Sequence, residues 1–123
     1  MPTIGFSSPS FSVDEIRAIG RRHWGIDQGG EALPSERDQN AVLQDARHRR
    51  YVAKISNAEE DPLVIDLQNA ALAHLAAAAP ELDLPRVQHT VDGAAVMTVP
   101  DAQGRPHLVR LLTWVPGTAL AGI

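Results

Sequence analysis

The sequence predicts an α+β domain in which an antiparallel sheet of about five strands carries one long covering helix, with an extra helix at the N-terminal end. Three observations predict it. A capped amphipathic segment spans 12–24, and an alanine- and leucine-rich segment of helical period spans 61–79. Around the second of these, at 31–56 and 86–115, short apolar runs with β-branched residues alternate with turn residues. At 123 residues, positions 1–123 are expected to form a single domain.

The first helix opens on a capping box, Ser12-Val13-Asp14-Glu15, with Phe11 and Ile16 placed as a hydrophobic staple. Ile16, Ile19 and His23 or Trp24 share one face, and Gly25 marks the end, so this is read as a packing helix without chemistry. Gly29-Gly30 is a breaker. Glu31-Ala32-Leu33 follows as a short strand, then a polar loop from Pro34 to Gln39. Asn40 to Gln44 and Arg50 to Ser56 read as two strands around the turn Ala46-Arg47-His48-Arg49. A strand pair alone is marginal in water, so a helix is expected across it.

Asp61-Pro62 supplies that helix with an N-cap and a proline at its first position, where the missing N–H costs nothing. Val64, Leu67, Ala71 and Leu75, with Leu72 beside them, form the stripe expected to be buried. Burial of its large members would contribute about 1.5–3 kcal/mol each. Leu67→Ala or Leu75→Ala is accordingly expected to cost about 2–5 kcal/mol. Beyond Pro85 the period returns to strands at 86–91, 94–99 and 107–114 around the turns Asp92-Gly93 and Asp101-Ala102-Gln103-Gly104. An Asp-Gly pair between apolar runs is a strong hairpin signal, so an antiparallel meander without internal repeats is expected.

Composition removes several classes. A net charge of −4 argues against a nucleic-acid or anionic membrane partner, because such surfaces work through clustered cations. The local run Arg47-His48-Arg49-Arg50 reads as a solvated turn. With no cysteine, disulfides, thiolate zinc sites and thiol nucleophiles are excluded. The five histidines are scattered without metal-ligand spacing, so no metal site is expected. There is no Walker loop, GxSxG elbow or GxGxxG, and no signal peptide or membrane span is visible. A soluble cytoplasmic protein is expected.

Lys54 is the residue that asks for an explanation, since it interrupts the apolar strand Arg50-Tyr51-Val52-Ala53-Lys54-Ile55-Ser56. The order strand, loop, strand, lysine strand, helix is also the order in which a small lobe is built around ATP phosphates. Such a lobe needs a loop that approaches the phosphates and a cation that reaches them, and Ser35 to Asn40 and Lys54 stand at a fitting separation. Spacing alone favours a lysine snorkelling from a sheet edge beside a plain polar turn.

The segments ALPSERDQNAVLQD, RRYVAKISNAEEDPLVIDLQNAALAHLA, PELDLPRV and HLVRLLTWVPG resemble the N-terminal lobe of the aminoglycoside phosphotransferase and choline kinase-like family. The similarity runs from about Ser12 to Gly117, nearest to the branch with hydroxylysine kinases and fusions of a phosphotransferase to a class III aminotransferase. The resemblance implies a protein-kinase-like N-lobe, with ATP and Mg2+ used by the intact protein and a small-molecule hydroxyl acceptor held mainly by a second lobe. Pyridoxal phosphate (PLP) would belong to a fused aminotransferase outside this chain.

By the same resemblance Ser35, Glu36, Arg37 and Asp38 belong to the nucleotide-covering loop, and Lys54 contacts the α- and β-phosphates. Leu112 to Gly117 approaches the hinge, and Trp114 walls the adenine pocket or packs as a core residue. Gln68 falls where the family's helix carries the glutamate that pairs with the lysine. Glu59, Glu60 and Asp66 are alternative partners. The family's catalytic and metal-binding aspartates belong to the second lobe, so no catalytic residue is assigned here. The chain is expected to be a piece of a longer phosphotransferase, inactive alone, whose apolar ending Ala119 to Ile123 favours self-association. The alternative is a non-catalytic, kinase-like module that binds or regulates an attached aminotransferase.

Overall fold

The computed structural model describes residues 9–35 and 37–115. Glu36, the hinge residues Pro116 and Gly117, and the ending 119–123 lie outside the described residues. Among those described, the order is α1 (Val13–Trp24), β1 (Gln28–Leu33), β2 (Gln39–Gln44), β3 (Arg50–Ile55), α2 (Pro62–Ala78), β4 (Val87–Gln88), β5 (Met97–Pro100) and β6 (Pro106–Thr113). The strands form one antiparallel sheet, β1-β2-β3-β6, with β4 and β5 both on the outer edge of β6. The fold class is therefore α+β with a six-stranded sheet and two helices.

α1 begins as its sequence dictates. Ser12 Oγ accepts from Glu15 N at 3.1 Å, and Glu15 Oε1 accepts from Ser12 N at 2.8 Å. These bonds satisfy two of the donors that a helix start otherwise leaves open. Gly25, at φ 70°, ends the helix in the left-handed conformation that glycine adopts without a Cβ clash. The side toward the sheet carries Ile16 and Trp24, which join Phe11, Ile26, Leu43, Tyr51, Ala53, Ile55, Val109 and Leu111 in the hydrophobic core. Every second residue of β2, β3 and β6 points into that core, as the pleat requires.

Several expectations are corrected. The Gly29-Gly30 pair lies inside β1 and forms a bulge, with the register to β2 shifting between Gly29 and Glu31. Both glycines have positive φ, 93° and 98°, which is why the strand bends here without ending. The expected meander across Asp92-Gly93 is absent as a strand pair. β4 lies against Leu111 and Leu112 and β5 against residues 106–109, so the two form an interrupted edge strand along β6. Gly93 N and Ala94 N bond to Thr90 O and Thr90 Oγ1, which closes the turn onto itself and withdraws it from a ladder.

α2 departs most from its sequence pattern. The stripe Val64, Leu67, Ala71 and Leu75 is exposed, Leu67 at 61%, and the helix buries Ile65, Asn69 and Leu72 instead. An alanine- and leucine-rich helix is apolar all round, so period alone does not choose its inner face. Contacts with the sheet choose it. The hydrophobic core lies beneath α1, while α2 covers the opposite, partly polar face.

The β2–β3 and β5–β6 turns share a construction that the sequence also carries, DARHRRY at 45–51 and DAQGRPH at 101–107. In each, aspartate Oδ1 accepts two backbone N–H bonds, and Oδ2 accepts from the arginine four residues on. The same Oδ2 meets an aromatic two residues later, Tyr51 Oη at 3.0 Å or His107 Nε2 at 2.8 Å. Burial opposes it, but the bonds from Arg49, Tyr51 and Arg47 bring the Asp45 carboxyl down to about 2. His107 beside Asp101, with Arg105 and the turn N–H groups, holds that carboxyl below the usual range. The basic run 47–50 is occupied by this turn and by stacking near Trp114.

Candidate functional site

On the α2 side of the sheet, Asn40, Lys54 and Arg110 stand in one row across β2, β3 and β6, each directly opposite the next. All three are buried, Lys54 at 8% exposure and Arg110 at 2%. Lys54 is the only lysine of the sequence. Among the described residues its ammonium makes no hydrogen bond or ion pair, whereas the Arg110 guanidinium is held from α2. Nη1 donates to Asn69 Oδ1 at 2.8 Å and Nη2 to Gln68 Oε1 at 2.6 Å. Both arise one helical turn past Ile65, on the inner face of α2.

Asp38, Ser56, Glu60, Ile65, Gln68 and Leu108 complete a small cleft around Lys54 and Arg110. Its volume of about 40 Å3 accommodates a water or a single anionic oxygen, not a whole nucleotide. Burial and then the adjacent Arg110 charge lower the Lys54 pKa, with Asp38 opposing them. Burial lowers that of Arg110, opposed by Asp38 and Glu60. Like charges opposite each other in a ladder destabilise it. The cleft thus brings together two desolvated cations and two acids, Asp38 and Glu60, that make no hydrogen bond or ion pair to either cation.

The other sequence-derived residues divide by position. Asp38 enters the cleft and accepts from Asn57 N at 3.3 Å. Ser35 is exposed, its hydroxyl bonded to the Asp38 carbonyl, and Arg37 is exposed as well. Gln68 reaches the cleft, but its hydrogen-bonded partner is Arg110, not Lys54. Glu60 lines the mouth, while Glu59 and Asp66 are exposed elsewhere. Trp114 stands at the opposite end of β3. Its backbone N–H donates to Arg50 O at 3.1 Å, and the Arg50 guanidinium lies 6.0 Å from its ring. It lines an open groove of about 620 Å3 with Tyr51, Gln88 and Thr113. Four residues of strand, about 13 Å, separate Arg50 from Lys54.

Arg110 and Asn69 were not anticipated from the sequence. The signal for Arg110 is the one that marks Lys54, a cation inside an apolar strand, here Val109-Arg110-Leu111-Leu112. Asn69 has no such signal, because polar residues on a helix are ordinary until its inner face is known. Among the described residues no cluster of three or more acidic or histidine side chains is placed to hold a metal. None of the described helices is long and apolar enough to cross a membrane.

No family model matches the chain. A hydroxylysine kinase of Mus musculus is 32% identical over 104 residues, covering 76% of this chain and 27% of the relative. Two solved structures share the architecture. A microcompartment-associated aminopropanol kinase superposes with a TM-score of 0.69 at 20% identity, over 85% of this chain and 32% of that one. An amicoumacin kinase in complex with AMP-PNP and Ca2+ superposes at 0.68 and 18% identity, over 87% of this chain and 33% of that one. The chain spans about a quarter to a third of the length of these proteins.

The sheet, the lysine strand and the helix across it share the architecture of a kinase-like small lobe. Its similarity to the hydroxylysine kinase, together with the shared fold of the two solved kinases, supports a likeness to the aminoglycoside phosphotransferase and choline kinase-like family.

Proposed function

We propose that this chain is the nucleotide-binding lobe of an ATP-dependent phosphotransferase whose acceptor is a hydroxyl group of a small molecule. The observation that carries the reading is Lys54, a buried lysine whose ammonium makes no hydrogen bond or ion pair among the described residues and lines a small cleft. A buried charge is retained against its desolvation cost where a ligand supplies the counter-charge. Phosphate oxygens do so, and phosphoryl transfer asks a protein chiefly for such positioning and neutralisation. The groove beside Trp114, about one extended nucleotide away along β3, offers an aromatic wall for the base.

ATP supplies the phosphoryl group when bound. Lys54 orients its α- and β-phosphates, Asp38 limits the cleft on the loop side, and α2 closes it from above. Mg2+ would accompany the phosphates, and no ligand for it is assigned to this chain. The hydroxylysine and aminopropanol kinases to which the chain is similar suggest an acceptor of the amino-alcohol type.

The decisive measurement is steady-state kinetics of a protein containing this lobe together with its catalytic lobe. Lys54→Ala should lower kcat/KM by about 10²-fold or more, the scale on which removal of one fixed electrostatic contact acts. Unchanged kinetics would dismiss the assignment. The 123-residue chain by itself should bind ATP weakly and transfer no phosphate. Magnesium-dependent micromolar binding in calorimetry would show that a second lobe is not needed for the site.

A further inference from the structure

Resting on the preceding reading and deepening it, we propose that Arg110 is a positioning residue that pins α2 through neutral amides, leaving Lys54 its full charge, so that two cations present the cleft to a polyphosphate. The geometry separates two tasks that one ion pair could otherwise perform. Holding a helix against a sheet needs directional bonds, and the Arg110 fork makes two of them to Gln68 and Asn69. Binding an anion needs charge that has not been spent, and an amide oxygen accepts a hydrogen bond without cancelling the guanidinium.

The cost of this arrangement is visible. Lys54 and Arg110 face each other across the ladder, both desolvated. Arg110 Nε, Asn69 Nδ2 and Asn40 Oδ1 are buried without partners, and they are the only such side-chain atoms among the described residues. All three belong to the cationic row or to its helix contact. Buried polar atoms are satisfied elsewhere in the described fold, so the deficit concentrates where a ligand would change the local charge. The charged groups facing Lys54 are Arg110, Asp38 and Glu60, and neither acid is bonded to either cation.

The sole lysine makes the test direct, because the side-chain ammonium signal of Lys54 has no competitor in the NMR spectrum of the full chain. Inorganic tripolyphosphate, without metal, is the probe. In the wild-type chain it should move the Lys54 signal, raise the pH at which Lys54 titrates, and raise the melting temperature. Gln68→Glu places a carboxylate on Arg110 and should weaken tripolyphosphate binding about tenfold, with melting at or above the wild-type temperature. Arg110→Met should let Lys54 titrate at higher pH, as loss of a facing charge requires, and should also weaken tripolyphosphate binding, which loss of a merely structural arginine in a folded variant would not do. Should that variant fail to fold, the Gln68→Glu comparison decides.

Equal or tighter binding by Gln68→Glu would overturn the role of Arg110. If Lys54→Met still abolished binding in that case, the assignment of Lys54 to phosphate would stand. Undiminished binding by Lys54→Met would instead overturn the assignment itself. A wild-type Lys54 signal that millimolar tripolyphosphate leaves unmoved would refute the preassembled two-cation site, while the Lys54→Ala kinetics judge the wider reading separately.

Discussion

The two helices sit on opposite faces of the same sheet and are held there by different physics. α1 has a boxed N-terminus, a left-handed glycine end and an inner face of Ile16 and Trp24 over the apolar core. α2 has its own N-cap, Asp61, whose Oδ1 accepts from Leu63 N at 2.9 Å, but Leu63, Leu67 and Leu75 point outward, and its inner face joins Ile65 and Leu72 to amides that bond Arg110. One helix is placed by hydrophobic burial, the other by Ile65 and Leu72 together with a charged fork. The first arrangement stabilises the fold, and the second leaves a cleft beneath it with two desolvated cations. The contrast teaches that the hydrophobic core and the proposed phosphate cleft are lodged on opposite faces of β3.

The contrast is sharpest in truncation. Leu111→Ala, in the core beneath α1, should cost about 2–5 kcal/mol in chemical denaturation, since the fully buried side chain leaves a cavity. Next in size, and opposite in sign, Lys54→Met should raise stability by about 1 kcal/mol, because it replaces a buried unpaired cation with an apolar chain of similar length. A destabilised Lys54→Met would mean that the ammonium has a stabilising partner and that the cleft is not a ligand's place. Smaller still, Leu67→Ala on the outer face of α2 should change stability by no more than about 0.5 kcal/mol. A loss of several kcal/mol there would restore the buried stripe expected from the sequence and break the comparison.

Legibility followed the same division. The α1 cap, staple and inner face are local or strongly periodic, so Ser12, Glu15, Phe11 and Ile16 could be read directly. The α+β class was legible because strand runs and turn residues recur on both sides of the α2 segment. The face of α2 was not, because Leu63, Val64, Leu67 and Leu75 offer a helical period equal to any other, and the choice rests on Arg110, about forty residues away. The pairing of β4 and β5 was also hidden. Asp92-Gly93 announces a tight turn, yet Thr90 closes it locally, and only β6 determines where its flanks pair. Lys54 was legible as an anomaly within its strand, and Arg110 carries the same anomaly. That the two lie side by side follows from a register between β3 and β6 that no local feature encodes.

Acid should act on one face and alkali on the other. Asp45 anchors its turn to Tyr51 on the α1 side, and its folded pKa, about 2, lies below the ordinary 3.8. Its contribution is therefore complete above the ordinary value and is lost as pH falls through about 2. The stability of the wild-type chain should fall across that window more steeply than that of Asp45→Asn. Lys54 has the same sign of slope, but through relief of a penalty and not through gain of an anchor. Its folded pKa lies below 10.5, so between that lowered value and 10.5 the unfolded chain binds the extra proton, and stability rises with pH. The advantage of Lys54→Met over the wild type should accordingly shrink as pH rises through this range. Denaturation curves of the two proteins that stay parallel up to pH 10.5 would show that Lys54 titrates as an ordinary exposed amine, and the charge asymmetry between the two faces of β3 would be lost with it.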